Sequence, residues 1–328
     1  MSTTDCADAP AVEVALHHCV HLRSFDPSVM RLAVQDGEME HLQVSPGVFD
    51  GNVTHAASGS LRTDWGRYSL PLQARGVFGR GMLTVGLLID GGGDWRVQGA
   101  PAANGDMLLF AEGSELLMNL PPNAQWLAVQ VSRERVEALG VPLGGLRGVS
   151  AWRMRPAMGV PGVEQLADVA PVLAPQADAF SPGVGFEIQT AQEQLFAAML
   201  CDWERRRAST TSVADRLQPG ERWRVLRRAE AYLEANPTPT LRIDDLCTAA
   251  CTSVATLERS FREVLGVTPR RYLTLRRLAR VRSDLLNGDP NESITEVAMR
   301  WGFFHLGRFA QEYGQLYHER PSQTRARR

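Results

Sequence analysis

The sequence predicts an α+β multidomain protein: an N-terminal antiparallel β-sandwich or barrel, a helical connector, and a C-terminal all-α domain of two helix-turn-helix units joined by a long helix. Three observations carry this. Turn-forming clusters recur over 19–131, the apolar period becomes helical near 184, and two helix, turn, helix outlines flank one unbroken helical stretch in the last hundred or so residues.

A chain of 328 residues with 44% hydrophobic and 22% charged residues has the composition of globular material and a length that favours two domains. Residues 1–15 read as a flexible tail and 16–150 as the β domain. Its punctuation is Gly79-Arg80-Gly81, Asp90-Gly91-Gly92-Gly93-Asp94, Asn104-Gly105-Asp106 and Pro121-Pro122-Asn123. Between these, 82–89 and 126–131 are the clearest strands, and the Asp90 to Asp94 run is expected to make a hairpin turn.

Residues 151–207 read as a helical connector, because Ile188, Ala191, Gln192, Leu195 and Met199 keep helical spacing within 184–207. That apolar face suits either self-association into a homodimer or packing on the chain's own β domain. Residues 208–220, rich in Ser, Thr and Pro, read as a linker.

In 221–328, Val225, Ala229, Tyr232 and Leu233 define a helix that Asn236-Pro237 stops. Ile243, Leu246, Cys247 and Ala250 define a second, with Asp244 and Asp245 at its positive end. Ser253 then caps a third whose inner face is Leu257, Phe261 and Leu265, and Gly266 ends it. Its outer face shows Val254, Ala255, Glu258, Arg259 and Arg262. Thr268-Pro269 starts the long helix, which runs to Asn287-Gly288, about 28 Å at 1.5 Å per residue.

The outline then recurs. Ser293-Ile294-Thr295-Glu296 is a capping box, Ile294, Val297, Ala298 and Trp301 keep helical spacing, and Gly302 closes the helix. Over about 305–316, Leu306, Phe309 and Tyr313 are expected inward, with His305, Gly307, Arg308, Gln311 and Glu312 outward. The two units span 243–264 and 294–316.

Charge separates the halves. From Glu221 onward there are 19 Arg against 13 acidic residues, net +6, and before it 16 Arg against 24 acids, net −8. A phosphate-binding surface therefore belongs to the C-terminal third. The chain has no lysine, so each of its 35 basic residues is an arginine whose guanidinium can make forked bonds to phosphate or guanine; a bias in genomic base composition gives the same pattern.

Several classes are set aside. The longest apolar runs, such as 107–110, are too short for a bilayer, and 1–10 lacks the features of an export signal, which implies no membrane partner and a cytoplasmic location. The five cysteines are odd in number and scattered. Cys247 and Cys251, at i and i+4, read as small core-filling residues because no second pair follows at zinc spacing. No phosphate-cradling loop or serine-elbow motif is present, so no catalytic residue and no cofactor are assigned.

Residues 221–328 resemble the DNA-binding domain of the AraC/XylS family of bacterial regulators. Ser253, Leu257, Arg259, Phe261 and Gly266-Val267-Thr268-Pro269 carry the likeness in the first unit, and Arg277-Leu278 on the long helix. In the second, Ile294 through Trp301-Gly302-Phe303, Phe309 and Pro321-Ser322 carry it. The resemblance implies double-stranded DNA and RNA polymerase as partners. It implies base reading by Ala255, Thr256, Glu258 and Arg259, then by His305, Leu306, Gly307, Arg308 and Gln311, with Arg262 on the same outer face. Gln311 stands where many members have Arg and Tyr313 where they have Phe, so base preferences do not transfer. Arg259 and Arg308 are the strongest candidates, since arginine on guanine is the commonest specific contact.

The stretch Ser45-Pro46-Gly47-Val48-Phe49-Asp50-Gly51, with Arg67-Tyr68 after it, resembles the input domain of members related to the ethanolamine-utilisation activators. That implies a cupin-like domain which binds a small-molecule effector beside a dimer contact. Candidate ligand-binding residues are Trp65, Arg67, Tyr68, Trp95 and Trp126. The alternative is a cupin-type metal-dependent enzyme or sensor fused to a DNA-binding domain, for which His17, His18, Cys19 and His21 form the local cluster. These four precede the main strands, and no His-x-His with a following Glu lies inside them.

Overall fold

The computed structural model describes residues 16–58, 61–138, 140, 151–154, 196, 200–201, 214–216, 220–237 and 241–328. Two antiparallel sheets face each other. One runs in the order β1 (Leu16–Leu22), β3 (Gly51–Ser58), β4 (Leu61–Tyr68), β11 (Ala124–Ser132), β6 (Met82–Asp90), β9 (Met107–Phe110), β12 (Ala151–Met154), β13 (Ala214–Arg216). The other runs β2 (Glu38–Gln43), β5 (Leu72–Val77), β10 (Glu115–Leu120), β7 (Trp95–Val97), β8 (Ala100–Ala102).

The chain passes repeatedly from one sheet to the other, and the turn clusters mark these passages. Asp90 to Asp94 is therefore not a hairpin: β6 lies in the eight-stranded sheet and β7 in the five-stranded one. The glycines let this crossing run against the turn between β10 and β11. Gly92 N–H donates to Pro122 O at 2.7 Å, and a Cβ on Gly91 would sit 2.5 Å from Pro121 Cγ.

Alternation places Tyr68, Leu88, Leu108, Phe110, Trp126 and Ala128 between the sheets, against Met39, Ala74, Leu116, Met118 and Leu120. The other face of the eight-stranded sheet is buried as well, through Leu83, Val85, Leu87, Leu127, Val129 and Val131. A sheet buried on both faces has unbroken apolar strands, which is why 82–89 and 126–131 stand out in the sequence. Phe196, Leu200 and Cys201 are helical, the first two buried and Cys201 exposed; the other residues of the helix expected over 184–207 lie outside the described residues.

Two expectations for the connecting region are corrected. Residues 151–154, assigned to a helical connector, form β12 against β9, and 214–216, assigned to the linker, form β13 against β12. Pairing there satisfies the backbone groups that β9 would otherwise present as an open edge.

Short helices α1 (Pro27–Met30) and α2 (Arg133–Ala138) border the sheets. The C-terminal part has seven helices among the described residues: α3 (Glu221–Ala235), α4 (Ile243–Ala249), α5 (Val254–Leu265), α6 (Pro269–Asn287), α7 (Ile294–Arg300), α8 (Leu306–Tyr317) and α9 (Pro321–Arg325). The 19-residue α6 serves two cores. Tyr272 and Ala279 join Leu226, Leu246, Leu257 and Phe261, whereas Leu275, Leu278, Val281 and Leu285 join Val297, Phe309 and Tyr313.

Both cores continue into the β domain. Leu42 and Leu117 pack in the first, and Phe25, Met30 and Phe49 belong to the second, where Phe25 stacks on Tyr317 at 6.3 Å. Arg282, 1% exposed, bonds Tyr313 Oη and Thr324, pairs with Glu319 and donates to the Phe25 carbonyl. A charge this deep is tolerated because every side of the guanidinium meets an acceptor or an aromatic face.

Candidate nucleic-acid interface

The first unit is α4, a tight turn and α5. Ala250 ends α4, and Ser253 starts α5 by accepting from Thr256 N–H at 3.2 Å. Leu257, Phe261 and Leu265 are buried, Phe261 meeting the Tyr272 ring edge-on at 5.4 Å, and Gly266 closes the helix at φ +73°. The outer face carries Val254, Ala255, Thr256, Arg259 and Arg262, all exposed, with Glu258 half-buried. The paired-cysteine expectation is corrected: Cys247 packs partly against the core, but Cys251 lies past the helix end at φ +51° and is exposed.

The second unit is α7, a turn and α8. Ser293 and Glu296 form the capping box, with Ser293 N–H donating to Glu296 at 2.7 Å and Glu296 N–H to Ser293 Oγ at 3.1 Å. The Ser293 hydroxyl and its N–H, both donating to the carboxylate, hold the Glu296 carboxyl below its usual range. Gly302 turns the chain at φ +81°. Phe309, Tyr313 and Leu316 face inward from α8.

Leu306 does not. It is 40% exposed, because α8 begins at this residue with His305 as its cap and its first turn projects past the core. Hence Leu306 stands with His305, Gly307, Arg308 and Gln311 on the accessible surface. A Cβ on Gly307 would meet nothing within 4 Å, so this position leaves a bare stretch of backbone for close approach.

Arg308 is paired with Glu312 at 2.8 Å and Arg262 with Glu258 at 3.4 Å, each within one exposed helix face. Such pairs are worth only about 0.3–0.5 kcal/mol. Either guanidinium can therefore exchange its carboxylate for a phosphate or a guanine edge at small cost. Sequence reasoning passed over Phe304, 64% exposed in the turn before α8, and Met299, 47% exposed on α7; no polar pattern advertised them.

The five candidate ligand residues do not share one cavity. An apolar cavity of about 50 Å³ lies between the sheets, lined among others by Met39, His41, Thr84, Phe110, Leu116 and Trp126. Of the five, Trp126 alone lines it. Tyr68 is buried beside Trp126, their rings 6.0 Å apart. Trp65 and Arg67 point to the other face of β4, where Arg67 is exposed. Trp95 is buried at the edge of the core, its Nε1 donating to Asn104 at 2.7 Å.

The histidine cluster is split as well. His18 stacks on His55, Cys19 on the opposite face accepts from Thr54, and His21 bonds Asp50 at 3.2 Å. Among the described residues, no group of three or more His, Cys, Asp or Glu is placed to hold a metal, and no helix is long and apolar enough to cross a membrane.

Comparison with known proteins places the likeness in the helices just described. A family of helix-turn-helix domains matches residues 246–327. The probable thc operon regulatory protein of Rhodococcus erythropolis is 42% identical over 100 residues, 30% of each chain. The XylDLEGF operon transcriptional activator 2 of Pseudomonas putida is 39% identical over 98 residues, 30% of this chain and 62% of that one. The chain thus covers less than two thirds of either relative. Among solved structures, an AraC-type transcriptional regulator from Chromobacterium violaceum is 30% identical with a TM-score of 0.29, covering 31% of this chain and 90% of that one. Residues 246–327 thus match a helix-turn-helix domain, and about 100 residues of the chain are similar in sequence to operon regulators of the AraC and XylDLEGF-activator kind.

Proposed function

We propose that the protein is a cytoplasmic, sequence-specific transcription regulator which sets α5 and α8 into successive major grooves on one side of the duplex. The observation that carries this is the pair of accessible faces, Ala255, Thr256, Glu258, Arg259 and Arg262 on one unit and His305 through Arg308 with Gln311 on the other, linked by α6. At about 28 Å, α6 is shorter than the roughly 34 Å helical repeat of DNA, so the bound duplex bends toward the protein. The domains are 16–150, extended by β12 and β13, for input, the segment between these two strands for connection and dimerisation, and 221–328 for DNA. Homodimerisation and contact with RNA polymerase make it an activator.

The input domain is cupin-like and takes a small effector in the cavity between its sheets. A volume of about 50 Å³ admits a few water-sized groups. Its chemistry is apolar with a polar end: His41 Nδ1 and Thr84 Oγ1 are buried there without hydrogen-bond partners among the described residues. Burial pushes the His41 imidazole down to about 4, so the ring is neutral near pH 7. A neutral imidazole nitrogen and a hydroxyl can each donate or accept, which suits a hydroxyl-bearing effector.

Selection of genomic fragments by the purified protein at two salt concentrations tests the regulator reading. A short site spanning two major grooves, lost in Arg259→Ala/Arg308→Ala, is the expected result; sequence-blind binding that disappears with salt contradicts it.

A further inference from the structure

The five-stranded sheet works on both faces. Met39, His41, Ala74, Leu116 and Met118 look into the cavity, whereas Glu40, Leu42, Arg75, Leu117 and Asn119 look toward the helices. From this sheet two amide side chains reach the last turns of both recognition helices. Asn119 Nδ2 donates to Val264 O at 2.7 Å at the end of α5. Gln43 Nε2 donates to Leu316 O at 2.9 Å at the end of α8, and Gly47 N–H donates to the same oxygen at 3.1 Å.

Both carbonyls belong to the last four of their helices, which have no donor within the helix. Each amide is also held from behind. Gln73 Nε2 donates to Asn119 Oδ1 at 3.4 Å, which turns the Asn119 amine toward Val264. Gln43 Nε2 also reaches Ser45 O and Gly47 O, both at 3.0 Å, so its bracket includes the 45–51 loop. Gly47 is required there: φ is +149°, and a Cβ would lie 2.9 Å from Leu70.

The recognition helices sit in separate cores that share α6 and both continue into the β domain. Flexing of that helix would alter their separation and relative tilt. We infer that Asn119 and Gln43 are positioning residues for DNA reading: by holding the ends of α5 and α8 on one rigid sheet, they fix the spacing between half-sites that the protein accepts. This rests on the reading of α5 and α8 as base-reading helices.

The test uses the full chain. A selected site is resynthesised with one or two base pairs added to or removed from the segment between half-sites, and binding is followed by fluorescence anisotropy for the wild type and Asn119→Asp/Gln43→Glu. These substitutions keep size but replace the donating amine with an oxygen. The wild type is expected to prefer its native spacing by roughly tenfold or more, and the double variant by about twofold or less, the scale of two net hydrogen bonds. Equal loss at every spacing marks a merely structural role and overturns the inference, as does an unchanged preference in the variant or no preference in the wild type. Failure of the wild type to select any site overturns the regulator reading instead.

Discussion

Replacing Arg75 with methionine should loosen the docking of the helical domain on the β domain. Arg75 is buried at the interface, where its guanidinium meets Glu40 at 2.7 Å, Glu230 at 3.1 Å and Glu234 at 2.8 Å. Tyr272 donates to Glu230, and Arg280 reaches Glu40 at 3.0 Å. Burial alone would push the Glu40 carboxyl up, but Arg75, Arg276 and Arg280 outweigh it and hold it at about 2 against an ordinary 4.5. A folded value below the unfolded one stabilises the fold above pH 4.5, by about 3 kcal/mol, and that contribution fades as pH falls toward 2. Arg75→Met leaves the carboxylates of Glu230 and Glu40 short of countercharge in a half-dry interface, which costs about 3–5 kcal/mol. Urea unfolding at pH 7 should show that loss, and the decline between pH 4.5 and 2 should be shallower than in the wild type. Adding Glu230→Gln should recover part of it. Stability within about 0.5 kcal/mol of wild type, with an unchanged acid limb, would show that the Arg75 cluster does not hold the two domains together.

Other outcomes follow from the same geometry. Arg259→Ala and Arg308→Ala should each weaken binding to a selected site by about 1–3 kcal/mol in an anisotropy titration, and hardly change binding to random DNA at matched salt. Ser293→Ala should lower stability by about 1 kcal/mol in urea, because it removes one half of the capping box that opens α7. Gly76→Ala should cost about 1–3 kcal/mol or more and expose the β2–β5 pairing to hydrogen exchange, since its Cβ would lie 2.1 Å from Glu38 O.

The helical third was legible because its signals are local. Ser253, Thr268 and Ser293 cap helices, Gly266 and Gly302 end them with positive φ, and apolar spacing marks the inner faces; each works within a few residues of itself. Leu306 misled because helical spacing fixes the direction of a side chain but not where the core stops. In the β domain, the turn clusters located the strand ends, yet nothing local distinguishes a hairpin from a crossing between sheets. Asp90 to Asp94 was therefore misread, and strands β12 and β13 went unseen as short partners of a distant edge. The interface was invisible for the same reason. Arg75 meets Glu230 across 155 residues and Gln43 meets Leu316 across 273, and sequence periodicity carries no information at those separations.

Hydroxyl-radical footprinting on a selected fragment, with wild type and Arg259→Ala/Arg308→Ala side by side, tests the two-groove claim most directly. Protection is expected in two tracts about one helical turn apart on one face of the duplex, both weakened in the variant. A single tract, or two tracts that persist in the folded variant, would contradict it.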